Sequence, residues 1–232
     1  SRLEDEATGQ VLPGYLHADI PEQRLEQTRK MAAALGDQVF STYPFTEGTR
    51  PMAGNNVDRL LNRTWRPALS VTGAEGLPPL ASAGNVLRPY TSLKLSMRLP
   101  PTVDGDEATR KMKETLEADP PQGADVRFKP DQAASGWNAP AVAPWLHASL
   151  ESVSRAIFGQ GVMYMGEGGT IPFMAMLGEA YPEAQFMITG VLGPNSNAHG
   201  PNEFLHLPFA RKLTSCVAQV IADHCQRKSA AG

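Results

Sequence analysis

The chain has 232 residues, 41% of them hydrophobic and 19% charged, with a net charge of −3. That length suits one large domain or two small ones, and the composition is that of a soluble globule. Both charge signs are scattered, with no Lys/Arg stripe, which argues against nucleic acid as a partner. No apolar run approaches the roughly twenty residues of a membrane span. Cys216 and Cys225 are the only cysteines, so a disulfide framework is not expected. Cys216 falls on the apolar face of its helix and reads as a buried thiol.

Residues 1–20 read as loop. A helix is expected from Pro21 to Leu35, with Gly36 as its stop. Residues 41–56 read as a long loop, and Asn56 to Leu61 as a short helix. Ala68 to Thr72 alternates as a strand, followed by a loop from Gly73 to Gly84. The clearest strand is Ser92 to Leu99, with Leu93, Leu95, Met97 and Leu99 on one face and Lys94, Ser96 and Arg98 on the other. Such a strand, apolar toward helices and polar outward, fits an antiparallel sheet.

Asp104 or Asp106 is placed to cap a helix running to about Ala118, with Ala108, Met112, Thr115 and Leu116 inward. Pro120 and Pro121 end it, and Ala124 to Lys129 reads as a strand. Residues 130–141 form a second loop. Leu146, Leu150, Val153 and Ile157 make a helical stripe that stops at Gly159. Val162 to Met165 reads as a strand, Ile171 to Ala180 as a helix, and Gln185 to Thr189 as a strand. The last helix starts near Pro208, with Phe209, Leu213, Cys216, Val217, Val220 and Ile221 inward. Residues 142–226 thus alternate helix and strand, the rhythm of an α/β layer with parallel strands.

Two segments carry candidate chemistry. Gly166-Glu167-Gly168-Gly169-Thr170-Ile171-Pro172 is a glycine turn entering a helix, where backbone N–H groups suit a carboxylate or phosphate. It also reads as a plain strand-to-helix turn, and the Walker spacing is absent. Glu167, at a strand end, orients a substrate or is simply solvated. Ala198-His199-Gly200-Pro201-Asn202-Glu203 offers a neutral imidazole as a zinc ligand, with Glu203 holding the loop or the ring from behind. A lone histidine is more often a structural residue. His17, His147, His206 and His224 lack partners at ligand spacing. Arg98, on the polar face of the best strand, can clamp a carboxylate with its fork of donors or make a surface ion pair. Asn85 can donate an amide to the same site. Met163, Met165, Met174 and Met176 read as core filler. No nucleophile elbow is present, and no catalytic residue is assigned in this chain.

These residues carry a resemblance. The chain resembles the C-terminal part of the zinc metallopeptidases that include carnosinase, aminoacylase, succinyl-diaminopimelate desuccinylase and bacterial glutamate carboxypeptidase, the cytosolic dipeptidase branch above all. Trp65 to Gly73, Gly84 to Pro89 with Leu95 to Pro100, Gly166 to Pro172, and Ala198 to Glu203 carry it, in the family's order. The resemblance implies an α/β protein. Residues 1–130 would be the later part of a ferredoxin-like lid that makes a homodimer, and residues 131–232 the C-terminal segment of the catalytic domain. It implies two zinc ions, with manganese or cobalt as substitutes, and a small peptide or acyl-amino acid substrate with a free carboxylate. His199 resembles the terminal zinc histidine. Arg98 and Asn85 resemble lid residues that bind the substrate carboxylate and polarised carbonyl, and Thr170 stands where the family has a substrate-binding serine. Glu167 and Gly169 belong to the same motif.

The family's His-x-Asp motif, its Glu-Glu pair, its later Asp ligand and its lid histidine are not in this sequence. The start, Ser1-Arg2-Leu3-Glu4, is neither a signal peptide nor an initiator methionine. The expectation is therefore a C-terminal fragment of a dipeptidase or amidohydrolase, inactive by itself. A truncated dimerisation or binding module that retains the lid, or an enzyme using His199 as a metal-free base, are the other readings. Localisation is open, and the dipeptidase branch favours the cytoplasm.

Overall fold

The computed structural model describes residues 2–52, 54–168, 172–193 and 195–230. It divides into two compact units, Ser1–Asn138 with Met165–Ala175, and Ala139–Tyr164 with Met176–Gly232. The architecture is mixed helix and sheet. None of the described helices is long and apolar enough to cross a membrane.

In the first unit the helices are α1 (Glu22–Leu35), α2 (Gln38–Ser41), α3 (Asn56–Thr64) and α4 (Gly105–Glu117), with strands β1 (Ala68–Glu75) and β2 (Ser92–Arg98). α1 begins after Pro21 and stops at Gly36, whose φ of 52° is a conformation glycine adopts freely. α3 is capped by the Asn55 side chain, which accepts from the Asp58 amide at 2.9 Å, and α4 by Asp104, which accepts from Glu107 N at 2.7 Å. β1 and β2 pair antiparallel, Ala68 opposite Arg98 and Val71 opposite Leu95, and the register slips between Val71 and Gly73. Thr72 is the extra residue of that bulge, and β1 runs past the expected loop start at Gly73 to Glu75.

Leu69, Leu95, Met97 and Leu99 pack onto a core of Leu3, Val11, Leu16, Ala108 and Met112. The first sixteen residues were expected to be only loop, yet they supply three of these buried side chains. Their spacing follows neither the helix nor the strand period, so pattern reading passes over them. Arg2 adds a cap, donating from Nη1 to the carbonyls of Thr115 at 3.0 Å and Leu116 at 3.3 Å near the end of α4. The hairpin outruns this core. Val71 and Leu93, further along the apolar face, are 59% and 55% exposed. α1, α2 and α3 form a separate small cluster through Ala32, Val39 and Leu60.

The second unit is built on α5 (Pro144–Phe158) and α7 (Leu207–Ala230). Leu146, Leu150 and Val153 of α5 bury against Cys216 and Val220 of α7, and burial pushes the Cys216 thiol pKa up. Ile221 was expected inward but is 59% exposed. Only one stripe of α7 meets α5, and Ile221 lies beside it. α6 (Pro172–Ala180) follows the glycine turn, and Ile171 lies outside the described residues.

Three expected strands do not form. Residues 124–129, 162–165 and 185–189 have no ladder partner among the described residues. The sheet among the described residues is β1 with β2, in the first unit, so the parallel layer expected over 142–226 is not built among them. Extended backbone without a neighbouring strand must satisfy its amides otherwise. Phe128 N donates to Glu117 Oε1 at 2.8 Å, and Val162 N to Glu151 Oε2 at 2.9 Å. Gln185 works in reverse, its Oε1 accepting from Ala143 N at 2.6 Å. Met163, Met165 and Met176, expected as core filler, are exposed, because no sheet presents them to a helix layer.

Ser149 of α5 donates to Asp223 of α7 at 2.5 Å. That bond, with a second from Gln219, holds the Asp223 pKa below its usual 3.8. A depressed folded pKa contributes stability above the unfolded value and loses it as pH falls through the folded one. The melting temperature is therefore expected to drop on acidification below about pH 4, and to drop less steeply in Asp223→Asn, as calorimetry across that range would show.

Candidate active site

The local sequence brings three backbone ends together in the first unit. α3 stops at Trp65, which is 5% exposed and donates its amide to Leu61 O at 2.8 Å. The chain turns through Arg66 and Pro67 straight into β1. β1 starts opposite Arg98, the last residue of β2. Arg66 fixes this turn by pairing with Asp58 of α3 at 2.9 Å.

The glycine turn lies against this corner. The Arg98 guanidinium donates to the carbonyl of Gly168, 70 residues further along the chain. A Cβ on Gly168 would strike the Arg63 carbonyl oxygen and Arg98 Nη1, and one on Gly166 would press on the Thr64 side chain at 3.1 Å. The close approach therefore needs glycine for want of room. Glu167 folds back, its Oε1 accepting from Gly168 N at 2.9 Å, and stays exposed. Gly169 and Thr170 lie outside the described residues. The last turn of α3 was not flagged by sequence, because a helix end backing a distant turn leaves no local pattern.

Among the described residues Asn85 makes no hydrogen bond to this corner. It sits exposed between β1 and β2, in a stretch where Leu80 and Leu87 are 96% and 100% exposed.

His199 belongs to the second unit, in a compact loop. Phe204 N donates to Ser196 O at 3.1 Å and Gly200 N to Asn197 O at 2.9 Å. Asn197 Nδ2 reaches Pro201 O at 2.6 Å. Asn195, Asn197, His199 and Asn202 all have positive φ, His199 at 62°. These small polar types tolerate that region better than most side chains. Glu203 accepts from the His199 backbone amide at 3.1 Å, so its carboxylate holds the loop while the imidazole is exposed.

The other histidines have structural places. His17 Nε2 bonds Val11 O at 2.7 Å, and His147 Nδ1 bonds the Tyr164 hydroxyl at 2.8 Å. His206 Nδ1 accepts from Phe209 N at the start of α7 at 3.1 Å, and His224 stacks near Trp145 with centroids 5.1 Å apart.

Among the described residues no three His, Cys, Asp or Glu side chains gather to hold a metal ion. A zinc site takes three or four protein donors, and His199 is one. The described residues therefore do not themselves make the zinc centre that the resemblance implies, and no step through a metal is derived from them. What they do make is a cationic corner: a guanidinium laid on a glycine turn.

No family model matches the chain. A cysteinylglycine-S-conjugate dipeptidase from Corynebacterium striatum is 26% identical over 166 residues, covering 68% of this chain and 36% of that protein. Human carnosine dipeptidase 1 superposes with a TM-score of 0.67 at 16% identity, covering 97% of this chain and 47% of its own. A metallo-carboxypeptidase of the M20 family from Sulfolobus solfataricus, Sso-CP2, gives 0.68 at 17% identity, covering 95% and 49%. The di-peptidase Dug1p from Saccharomyces cerevisiae gives 0.66 at 17% identity, covering 94% and 46%. The chain thus spans about half the length, or less, of each relative.

Gly168→Ala is expected to destabilise the first unit by about 1–3 kcal/mol through overpacking at the α3 end. Urea unfolding checks this, with Gly48→Ala, in an open loop of positive φ, as a comparison that strains the backbone without a clash. The resemblance read from the sequence is borne out: this chain has the fold of roughly half a subunit of the M20-type dipeptidases and carboxypeptidases.

Proposed function

We propose that this chain is the C-terminal part of a metal-dependent hydrolase that cleaves the amide bond of dipeptides or N-acyl amino acids. The observation that carries the reading is the Arg98 guanidinium on the Gly168 carbonyl. It gathers, on a fold like that of dipeptidases, the arginine and glycine turn that the family resemblance assigns to the substrate's free carboxylate. Residues 1–130 act as the later part of a lid, and residues 131–232 as the end of the catalytic domain. Asn85 approaches the substrate when the lid closes. Thr170 and Gly169 take the substrate-binding part that the resemblance gives them, and Glu167 bonds the Gly168 amide.

His199 is one zinc ligand in this reading, steadied by Glu203 through its loop, and the remaining donors come from polypeptide beyond the 232 residues. Zinc, or manganese or cobalt in its place, supplies the activated water when bound. The residues of this chain bind and orient the substrate and contribute no general base. The exposed Leu80 and Leu87 support a homodimer through the lid. They equally support the second reading, a dimerisation or binding module that keeps the lid without turnover. The substrate class is a small molecule, with no nucleic acid or membrane, and a cytoplasmic place is the favoured one.

In the longer protein that carries this chain, Arg98→Ala is expected to raise KM for free-carboxylate dipeptides by about 10- to 100-fold. That is the worth of a charge-assisted hydrogen-bond pair. Dipeptides amidated at the C-terminus should be unaffected, and equal losses on both substrates would sink the carboxylate role. The 232-residue chain alone, assayed with zinc or manganese, is expected to hydrolyse dipeptides no faster than its His199→Ala variant. Faster turnover by the unsubstituted chain would mean that its donors suffice.

A further inference from the structure

Two further residues of the first unit are tied to the Arg98 corner through the backbone. Asp58, Asn62 and Arg66 lie four apart, so Asp58 and Asn62 share one face of α3. Arg66, two residues past the end of that helix, lays its side chain back along the face. Its Nη1 donates to Asn62 Oδ1 at 3.0 Å and its Nη2 to Asp58 Oδ1 at 2.9 Å. The second oxygen of Asp58 accepts from Asn55 Nδ2 at 2.6 Å, and Asn55 Oδ1 takes the Asp58 amide at 2.9 Å. One carboxylate thus joins the N-cap of α3 to the residue beyond its far end.

Arg66 is held at its backbone too. Its amide and that of Trp65 both donate to Leu61 O, at 2.9 and 2.8 Å. On one side of it only Pro67, with its fixed φ, stands before Ala68, the cross-strand partner of Arg98. On the other side Thr64 lies against Gly166, and the Arg63 carbonyl against Gly168, whose own carbonyl Arg98 bonds. The strand start and the helix end that support the corner therefore both leave from Arg66. Its side chain and that of Asp58 are 40% and 36% exposed, and an isolated pair so exposed holds little. Here guanidinium and carboxylate are each bonded twice, and a network of that kind resists displacement more than separate bonds do. Both terminal nitrogens of Arg66 are engaged, which argues against it as a second anion grip.

We propose that Arg66, locked by Asp58, is a positioning residue. It sets where Arg98 meets the glycine turn, and through Arg98 how well a substrate carboxylate is held. The effect on substrate rests on the hydrolase reading, whereas the effect on Arg98 does not.

The effect on Arg98 is read in the 232-residue chain by NMR of the arginine side chains, as solvent exchange of the Arg98 Nη protons. Arg66→Gln and Asp58→Asn should each speed that exchange about threefold, and the double variant no more than either alone. Arg66→Lys, which keeps the charge, should fall between them and the unsubstituted chain. The exchanged pair, Asp58→Arg with Arg66→Asp, should recover about half of the loss or more. Arg110→Gln, which removes the 2.7 Å ion pair with Glu107 on α4, should leave Arg98 unchanged. Unaltered exchange in Arg66→Lys and in Asp58→Asn, or an equal effect of Arg110→Gln, would overturn the inference. In the longer protein the same two losses of the pair should raise KM for free-carboxylate dipeptides about threefold, with kcat within about twofold and amidated dipeptides unaffected. Equal losses on both substrates would reduce the pair to a structural role and overturn the effect on substrate. A longer protein that hydrolyses no dipeptide would refute the hydrolase reading alone, and the exchange rates would still decide whether Arg66 positions Arg98.

Discussion

An extended backbone segment has to place its amides somewhere, and that requirement governs most of this structure. Where β1 and β2 lie side by side, the ladder does it. Elsewhere the extended segments are held by single side chains. Glu117 takes the amide of Phe128, Glu151 that of Val162, and Gln185 that of Ala143. Each tether joins an extended stretch to a helix or its first turn, so the helices act as anchors. A single tether fixes one residue and leaves its neighbours to water, which is why the methionines of 162–165 face outward while Val162 and Tyr164 still pack on α5.

The Arg98 corner depends on the ladder for its position. Arg98 is the last residue paired in β2, and its partner Ala68 follows α3 after the tight passage through Trp65 to Pro67. Burying Trp65 closes that passage, and the Arg66–Asp58 pair braces it. The arginine therefore stands on a rigid base. Glycines 166 and 168 let a distant turn come close enough to meet it. The imidazole of His199 is supported differently. Its loop is short, closed by its own bonds, and pinned by Glu203 at the backbone, so the ring is left available.

Several surfaces are more apolar than a finished globule favours. The far end of the hairpin, the stretch around Leu80 and Leu87, and the flank of α7 around Ile221 all expose large side chains. The fold covers 46% to 49% of each superposed peptidase.

The helices were legible in the sequence, because α1, α4, α5 and α7 each repeat apolar residues at the helical period between recognisable caps and stops. The antiparallel hairpin was legible from the alternation through Leu93 to Leu99. The glycine turn and His199 loop were legible as motifs, since asparagine tolerates the positive φ of the His199 loop and glycine permits the close approach at 166 and 168. Strand formation over 124–129, 162–165 and 185–189 was not, because a strand is a property of two segments and one segment's pattern says nothing of its neighbour. Leu3, Val11 and Leu16 were missed as core because their spacing has no period. The meeting of Arg98 with Gly168 was beyond the sequence too: residues 70 apart come together only when α3, β1 and β2 have packed, and that long-range packing is what tertiary structure decides.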